Sequence, residues 1–527
     1  MLTRLRRGLS ARLGRDERGF AMLPVIAALT VSSLLVVGAV SAATGDLPIS
    51  RESQDRKAAY GAAEAGLNYY LFHLNEDPDY WTKCAGVPDP NPGDPADNSP
   101  VNLAGASPRT WRTVPGTTSR YTIELLPAPG QANCVAGAGA EGSMLDASTG
   151  TFRIRSTGRS GNVTRSIIAT FRRKGFLDFL YLTNFETLDP DADSSATTTV
   201  ASCSKPRSLR PSGCTRIVFQ DGDQLKGPLH TNDETILTCG VPIFGRTGET
   251  DRVEVTGSTA PGYINSGCTS GTPVFRTSNG ALGLSAKTVD FPTSNSSLQT
   301  IAATPKGKLY TGKTIITLNG SAHTMNVWNA NQSPQQQNNV PLPANGVIYV
   351  QAGTGCTLSS FPTAATYNEG NQCAVAQVSG TYDDSLTIGS AGDIIVKPTI
   401  GVNNTGLVRV ASSPAVLGLI ANRYVRVYHL TSDPVQDVQI DAAILSLQHS
   451  FIVDNFSSGA HVGYLRINGA IAQNFRGPVG QGSAGFTKDY NYDSRLSYRS
   501  PPYFLPPLNA AWSVSRKNEQ VPAAAGA

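Results

Sequence analysis

The longest match to a chemistry-bearing pattern is Gly307-Lys308-Leu309-Tyr310-Thr311-Gly312-Lys313-Thr314, which satisfies G-x-x-x-x-G-K-[ST]. A phosphate cradle needs a buried strand before it and a helix N-terminus after it, so that amides converge on the anion. Here IAATPK precedes and the strand-like IITLNGSAHTMNVW follows, so no phosphate chemistry is expected. Gly480-Gln481-Gly482-Ser483-Ala484-Gly485 fits G-x-G-x-x-G but leads into FTKDYNYD, which has no helical period, and reads as a loop. Asp189, Asp191 and Asp193 are spaced like the start of a calcium loop, yet Ser194 and Val200 stand where glycine and an acid are required. Catalysis needs a nucleophile with a base, or paired carboxylates. There is no G-x-S-x-G, and His73, His230, His323, His429, His449 and His461 show no metal-ligand spacing. Asp393, Asp441 and Asp454 lie in β-rich repeats and would be the acids of a polysaccharide-cleaving site, although scattered acids of this kind cap turns. The chain is expected to be no enzyme, with no metal and no cofactor.

The eight cysteines are Cys84, Cys134, Cys203, Cys214, Cys239, Cys268, Cys356 and Cys373, and no pair is spaced C-x-x-C. That argues against zinc and thioredoxin-like redox chemistry and suits disulfides in an exported chain. Neighbours in sequence suggest Cys84–Cys134, Cys203–Cys214, Cys239–Cys268 and Cys356–Cys373, with other connectivities left open.

Charge is distributed unevenly. Of 527 residues, 43 are Lys or Arg and 39 Asp or Glu, a formal +4. Arg4, Arg6, Arg7, Arg12, Arg15 and Arg18 against Asp16 and Glu17 account for all of it, so the rest of the chain is neutral. Without a downstream basic patch, nucleic-acid binding is excluded. Only 16% of residues are charged, with 52 Gly and 34 Pro, a composition that points to a β-rich, turn-rich protein.

Residues 20–43 carry no charge. As a helix they would rise about 36 Å, enough for a hydrocarbon core of roughly 30 Å. Arginines precede this run, so a transmembrane helix with a cytoplasmic N-terminus and an exported C-terminal part is expected. A cleaved secretory signal ending at Ser41-Ala42-Ala43 competes, but the apolar run is too long for one. Arg15-Asp16-Glu17-Arg18-Gly19-Phe20 resembles the class III leader of type IV pilins, and Ala63-Glu64-Ala65-Gly66 resembles the signature of PilX-like pilus assembly proteins. The resemblance implies cleavage after Gly19 by prepilin peptidase and methylation of Phe20. It further implies partners among other pilins through the N-terminal helix, the pilus assembly machinery, the membrane and an unidentified surface ligand. Where major pilins carry a glutamate near the start of the mature helix, this chain has Pro24. Lacking that acid, and carrying a large head, it is expected to be a minor pilin at the tip. The alternative is a membrane-anchored extracellular β-helix protein that binds or cleaves polysaccharide.

The elements that must position these residues give an α+β, mainly β class. Residues 1–19 form the basic leader and 20–75 a transmembrane and extended helix, kinked or interrupted at Gly45 and Pro48. Residues 76–175 form a small α/β head, with strands at 120–126, 151–156 and 163–171 and a hairpin turn at 158–162. Residues 176–500 form a β-rich domain and 501–527 a Pro/Ala-rich tail. In the β-rich domain SLTIGSAGDIIV, AVLGLIANRYVRV, VQIDAAILSLQHSFIV and GYLRINGAIAQNF repeat loosely, as in a parallel β-helix, with an antiparallel sandwich as the alternative. The segment YNYDSRLSYRSPPYFLPP, which resembles the end of large exported pilin-like proteins, has no assigned chemistry.

Overall fold

A computed structural model describes residues 22–524 except 78, 85–98, 147–149, 174, 194–195, 267–270, 357–360, 362–368, 399–405 and 509–511. Its first element is one helix, α1 (Met22–Glu76), 55 residues long and continuous through Gly45 and Pro48. Pro24 stands in its first turn, where a missing amide costs no intrahelical bond. Among the described residues, no helix is long and apolar enough to cross a membrane. This corrects the expected transmembrane helix and the single-pass localisation with a cytoplasmic N-terminus. The fold class is corrected with it: among the described elements strands predominate, and the other helices are short.

The C-terminal half of α1 lies on an antiparallel sheet. Its strands are β1 (Val101–Leu103), β2 (Arg112–Thr113), β3 (Arg120–Leu126), β4 (Thr151–Ser160) and β5 (Val163–Arg173), closed by a strand at Trp512–Gln520. Only β1 runs parallel to its neighbour. The hairpin turn between β4 and β5 is Gly161-Asn162, shorter than the expected 158–162, and Gly158 is inside the strand. The expected tail therefore contains the last strand of this sheet, paired along β5. Leu67, Tyr70 and Leu74 of α1 meet Tyr121, Ile123, Phe152, Ile154, Phe171 and Trp512 in the head's core.

Beyond β5 the chain builds stacked parallel ladders. One runs from Lys308–Thr311 through Val347–Gln351, Leu386–Ser390, Leu417–Ala421 and Ala443–Ser446 to the second half of His461–Phe475. It continues into Tyr181–Phe185, Leu229–Thr231 and Val253–Val255. A second runs from Thr314–Asn319 through Val375–Tyr382 and the first half of His461–Phe475 to Ala484–Tyr492, Gln224–Lys226 and Ile243–Phe244. A third joins Val375–Tyr382, Asp393–Val396, Val425–Val427 and Phe451–Val453. Ile388, Ile394, Leu419, Val425, Ile444 and Ile471 are among the apolar side chains between the ladders. Each apolar residue stacks on its counterpart in the next rung, and this burial drives the stack. Disulfides join Cys84–Cys134, Cys203–Cys214 and Cys356–Cys373. Cys239 is also disulfide-bonded, and its expected partner Cys268 lies outside the described residues.

Candidate functional site

Small residues on α1 face small residues on β4. A Cβ on Gly158 would sit 2.1 Å from the Ala59 carbonyl oxygen and 2.3 Å from the Ala63 nitrogen. One on Gly66 would sit 2.3 Å from Ser156 Oγ and 2.8 Å from the Tyr121 ring. Helix and strand backbones thus approach more closely than any larger side chain allows. Ser156 Oγ donates to the Ala63 carbonyl at 2.7 Å, and Ser160 Oγ to Asp55 Oδ1 at 3.0 Å. Both bonds fix the helix in register on the sheet.

Each residue of the 63–66 run has its own contact. Ala63 and Gly66 make the close approach, Ala65 packs at the margin of the head's core, and Glu64 reaches the closing strand. Lys517 Nζ donates to Glu64 Oε1 at 2.5 Å, and this hydrogen bond raises the lysine above its ordinary value. The pair is partly exposed, so it guides register more than it adds stability. Deeper in, burial and then the neighbouring Tyr80 push the Tyr70 hydroxyl well above the usual tyrosine range.

The other half of α1 stands away from the head. From 24 to 40 every side chain is exposed, including Leu34 at 71% and Leu35 at 68%. The polar exceptions are muted: Thr30 Oγ1 donates to the Ile26 carbonyl at 2.9 Å and Ser33 Oγ to that of Leu29 at 2.8 Å. The arm is therefore an apolar rod of several turns, in the same helix as the half that packs on the head's sheet. Gly19 and Phe20, the expected processing site, lie outside the described residues.

The remaining candidates have structural partners. Lys308–Thr311 and Thr314–Asn319 are both strands, with Gly312 in the turn at φ 78°, so no helix follows the phosphate-loop pattern. Residues 480–485 form the turn of an antiparallel pair. Asp189 caps a short turn by accepting from the Asp191 amide at 3.0 Å, and its other oxygen meets His449 Nδ1 at 2.8 Å. Among the described residues, no group of three His, Cys, Asp or Glu side chains is placed to hold a metal. Arg426 gathers Asp454 at 2.8 Å, Glu369 at 3.1 Å and Asp393 at 3.3 Å. Burial works against its charge, but Asp454 and then Asp393 more than reverse this and hold its pKa above the ordinary value. Asp441 is elsewhere, accepting from Gln439, Asn468 and the Arg409 amide. The three aspartates are thus not a pair of free carboxylates. Sequence reasoning missed Gly158, Ser156, Lys517 and Trp512 as partners of the helix; alternation in WSVSRKNEQ was the available signal for the last two.

No family model matches the chain, and no curated protein matches it. Among solved structures it is similar to the competence-associated pilin ComZ from Thermus thermophilus, with 14% sequence identity and a TM-score of 0.29 over 88% of this chain and 97% of that chain. This is a pilin-like neighbour, and a likeness so weak carries no argument by itself.

Proposed function

We propose that the chain is a minor, tip-located type IV pilin-like subunit that joins other pilins through the arm of α1 and carries the stacked domain outward for surface attachment. In this reading it is not an enzyme, and prepilin peptidase cuts it after Gly19. The observation that carries the reading is the exposed apolar arm, continuous with a helix whose other half is buried on a sheet. An apolar surface of that extent calls for a cover, and like helices from neighbouring subunits supply one. Pro24 offers no carboxylate to a neighbour's amine, and a buried unpaired amine is costly, which favours a position with no subunit beyond it. The size of the stacked domain favours the same place.

Mass spectrometry of the mature N-terminus tests the processing step. N-methylated Phe20 is the expected outcome; an intact Met1, or a start at Thr44, would remove the reading. Immunogold labelling should then mark filament ends, and even decoration along the length would exclude the tip position.

A further inference from the structure

The segment Pro501-Pro502-Tyr503-Phe504-Leu505 lies along the seam between head and stack, at a cleft of about 660 Å³. One wall comes from head residues 128–146, the other from stack turns at 342–346 and 384–386, and Pro502 and Tyr503 close a side. Sites for small organic ligands span roughly 300–1,000 Å³ and favour such seams. Tyr503 has φ 54°, a region that bulky side chains avoid. Its neighbours impose this conformation. The Pro502 carbonyl accepts from Thr387 Oγ1, while Phe504 and Leu505 pack on a cluster that includes Tyr349 and Ile420. Tyr503 is left 37% exposed and lines the cleft. Strained backbone of this kind persists where surroundings over-determine it and gathers at ligand sites.

The rest of the lining mixes polarities. Pro343 and Pro502 give apolar surface, the exposed Gln131 and Lys306 bring an amide and an ammonium, and Asp384 brings a carboxylate held at 2.8 Å by His323 Nδ1. A fatty chain would strand these polar groups without water, and a phosphate ester would meet Asp146 and Asp384. A sugar ring has an apolar C–H face rimmed by hydroxyls that both donate and accept, which matches a half-exposed phenol ringed by amide, ammonium and carboxylate.

We propose that this cleft binds a neutral oligosaccharide, with the Tyr503 ring as the platform for a sugar face. The proposal names a ligand class for surface attachment but does not depend on filament assembly. Failure of either reading leaves the other standing. The test is isothermal titration calorimetry of the purified full chain with hexamers of α-1,4-glucose, β-1,4-glucose and β-1,4-N-acetylglucosamine, and with a proline-rich decapeptide. At least one sugar hexamer binds saturably; Tyr503→Gly weakens it by about tenfold or more, and Tyr503→Phe retains it. Glycine is at home at this φ, so Tyr503→Gly keeps the fold while removing the ring. The proposal is overturned if no hexamer binds up to about 10 mM, if Tyr503→Gly binds like the wild type, or if only the peptide binds.

Discussion

Two glycines near the contact between α1 and its sheet are there for different reasons. A methyl at Gly158 would meet backbone atoms of Ala59 and Ala63, which cannot swing aside, whereas one at Gly61 meets nothing within 4 Å. Gly158→Ala should therefore cost roughly 1–3 kcal/mol through overpacking. Gly61→Ala should add roughly 0.5–1 kcal/mol, because a mid-helix glycine wastes backbone entropy. Urea unfolding followed by the fluorescence of Trp81 and Trp512, both in the head's core, measures each; equal effects of the same sign would reject the close approach. Half of this contact is legible in the sequence. The run Ala63-Glu64-Ala65-Gly66 stands out as small residues on a helix, but its counterpart does not. Gly158 is three residues from a true turn, and turn chemistry is the commoner meaning of a glycine there.

At the scale of elements, the closing strand shows what local pattern conceals. Ser513 donates to the Arg172 carbonyl across 341 residues of sequence, and the Pro/Ala-rich flanks of Trp512–Gln520 disguise a strand as a tail. Alternation reveals that a strand exists, but its partner is fixed only by where the intervening domain returns the chain. Trp512 is 2% exposed, with its ring 4.7 Å from Phe152 and the Arg173 guanidinium 4.9 Å away. Trp512→Ala should cost about 3–5 kcal/mol. The loss should be local, because this side chain belongs to the head's core cluster. Hydrogen exchange would show faster exchange in β3, β4 and β5 with the ladder strands unchanged; loss of protection in both regions would mean that head and stack unfold as one unit.

The whole molecule is organised as a closed circuit. The first rung, Tyr181–Phe185, pairs with the second half of His461–Phe475, so the chain enters the stack in its middle and later returns to the same place. The apolar alternation of single rungs is legible in the sequence; this long-range return is not, since any rung could stack on any other. Arg476 locks the closure. Its amide donates to the carbonyls of Phe185 and Thr187, and its Nη1 to Glu186 Oε2 at 3.0 Å, with the guanidinium 3.3 Å from the centre of the Phe219 ring. Burial raises the Glu186 pKa above the ordinary carboxylate value, and the Arg476 charge is the largest influence opposing that rise. Arg476→Met would leave a buried carboxylate without its cation, a loss of about 3–5 kcal/mol near neutral pH. The pH dependence follows from the raised folded pKa. The contribution of Glu186 to stability is complete below the unfolded value of about 4.3 and is lost as pH rises through the folded one, because the folded state holds its proton longer. Removing the arginine raises the folded value further and widens that window. The variant's deficit, read from urea unfolding, should therefore be smaller at acidic than at neutral pH, and adding Glu186→Gln should recover part of it. An equal deficit at both pH values would trace the loss to packing on Phe219 and remove the charge from the explanation.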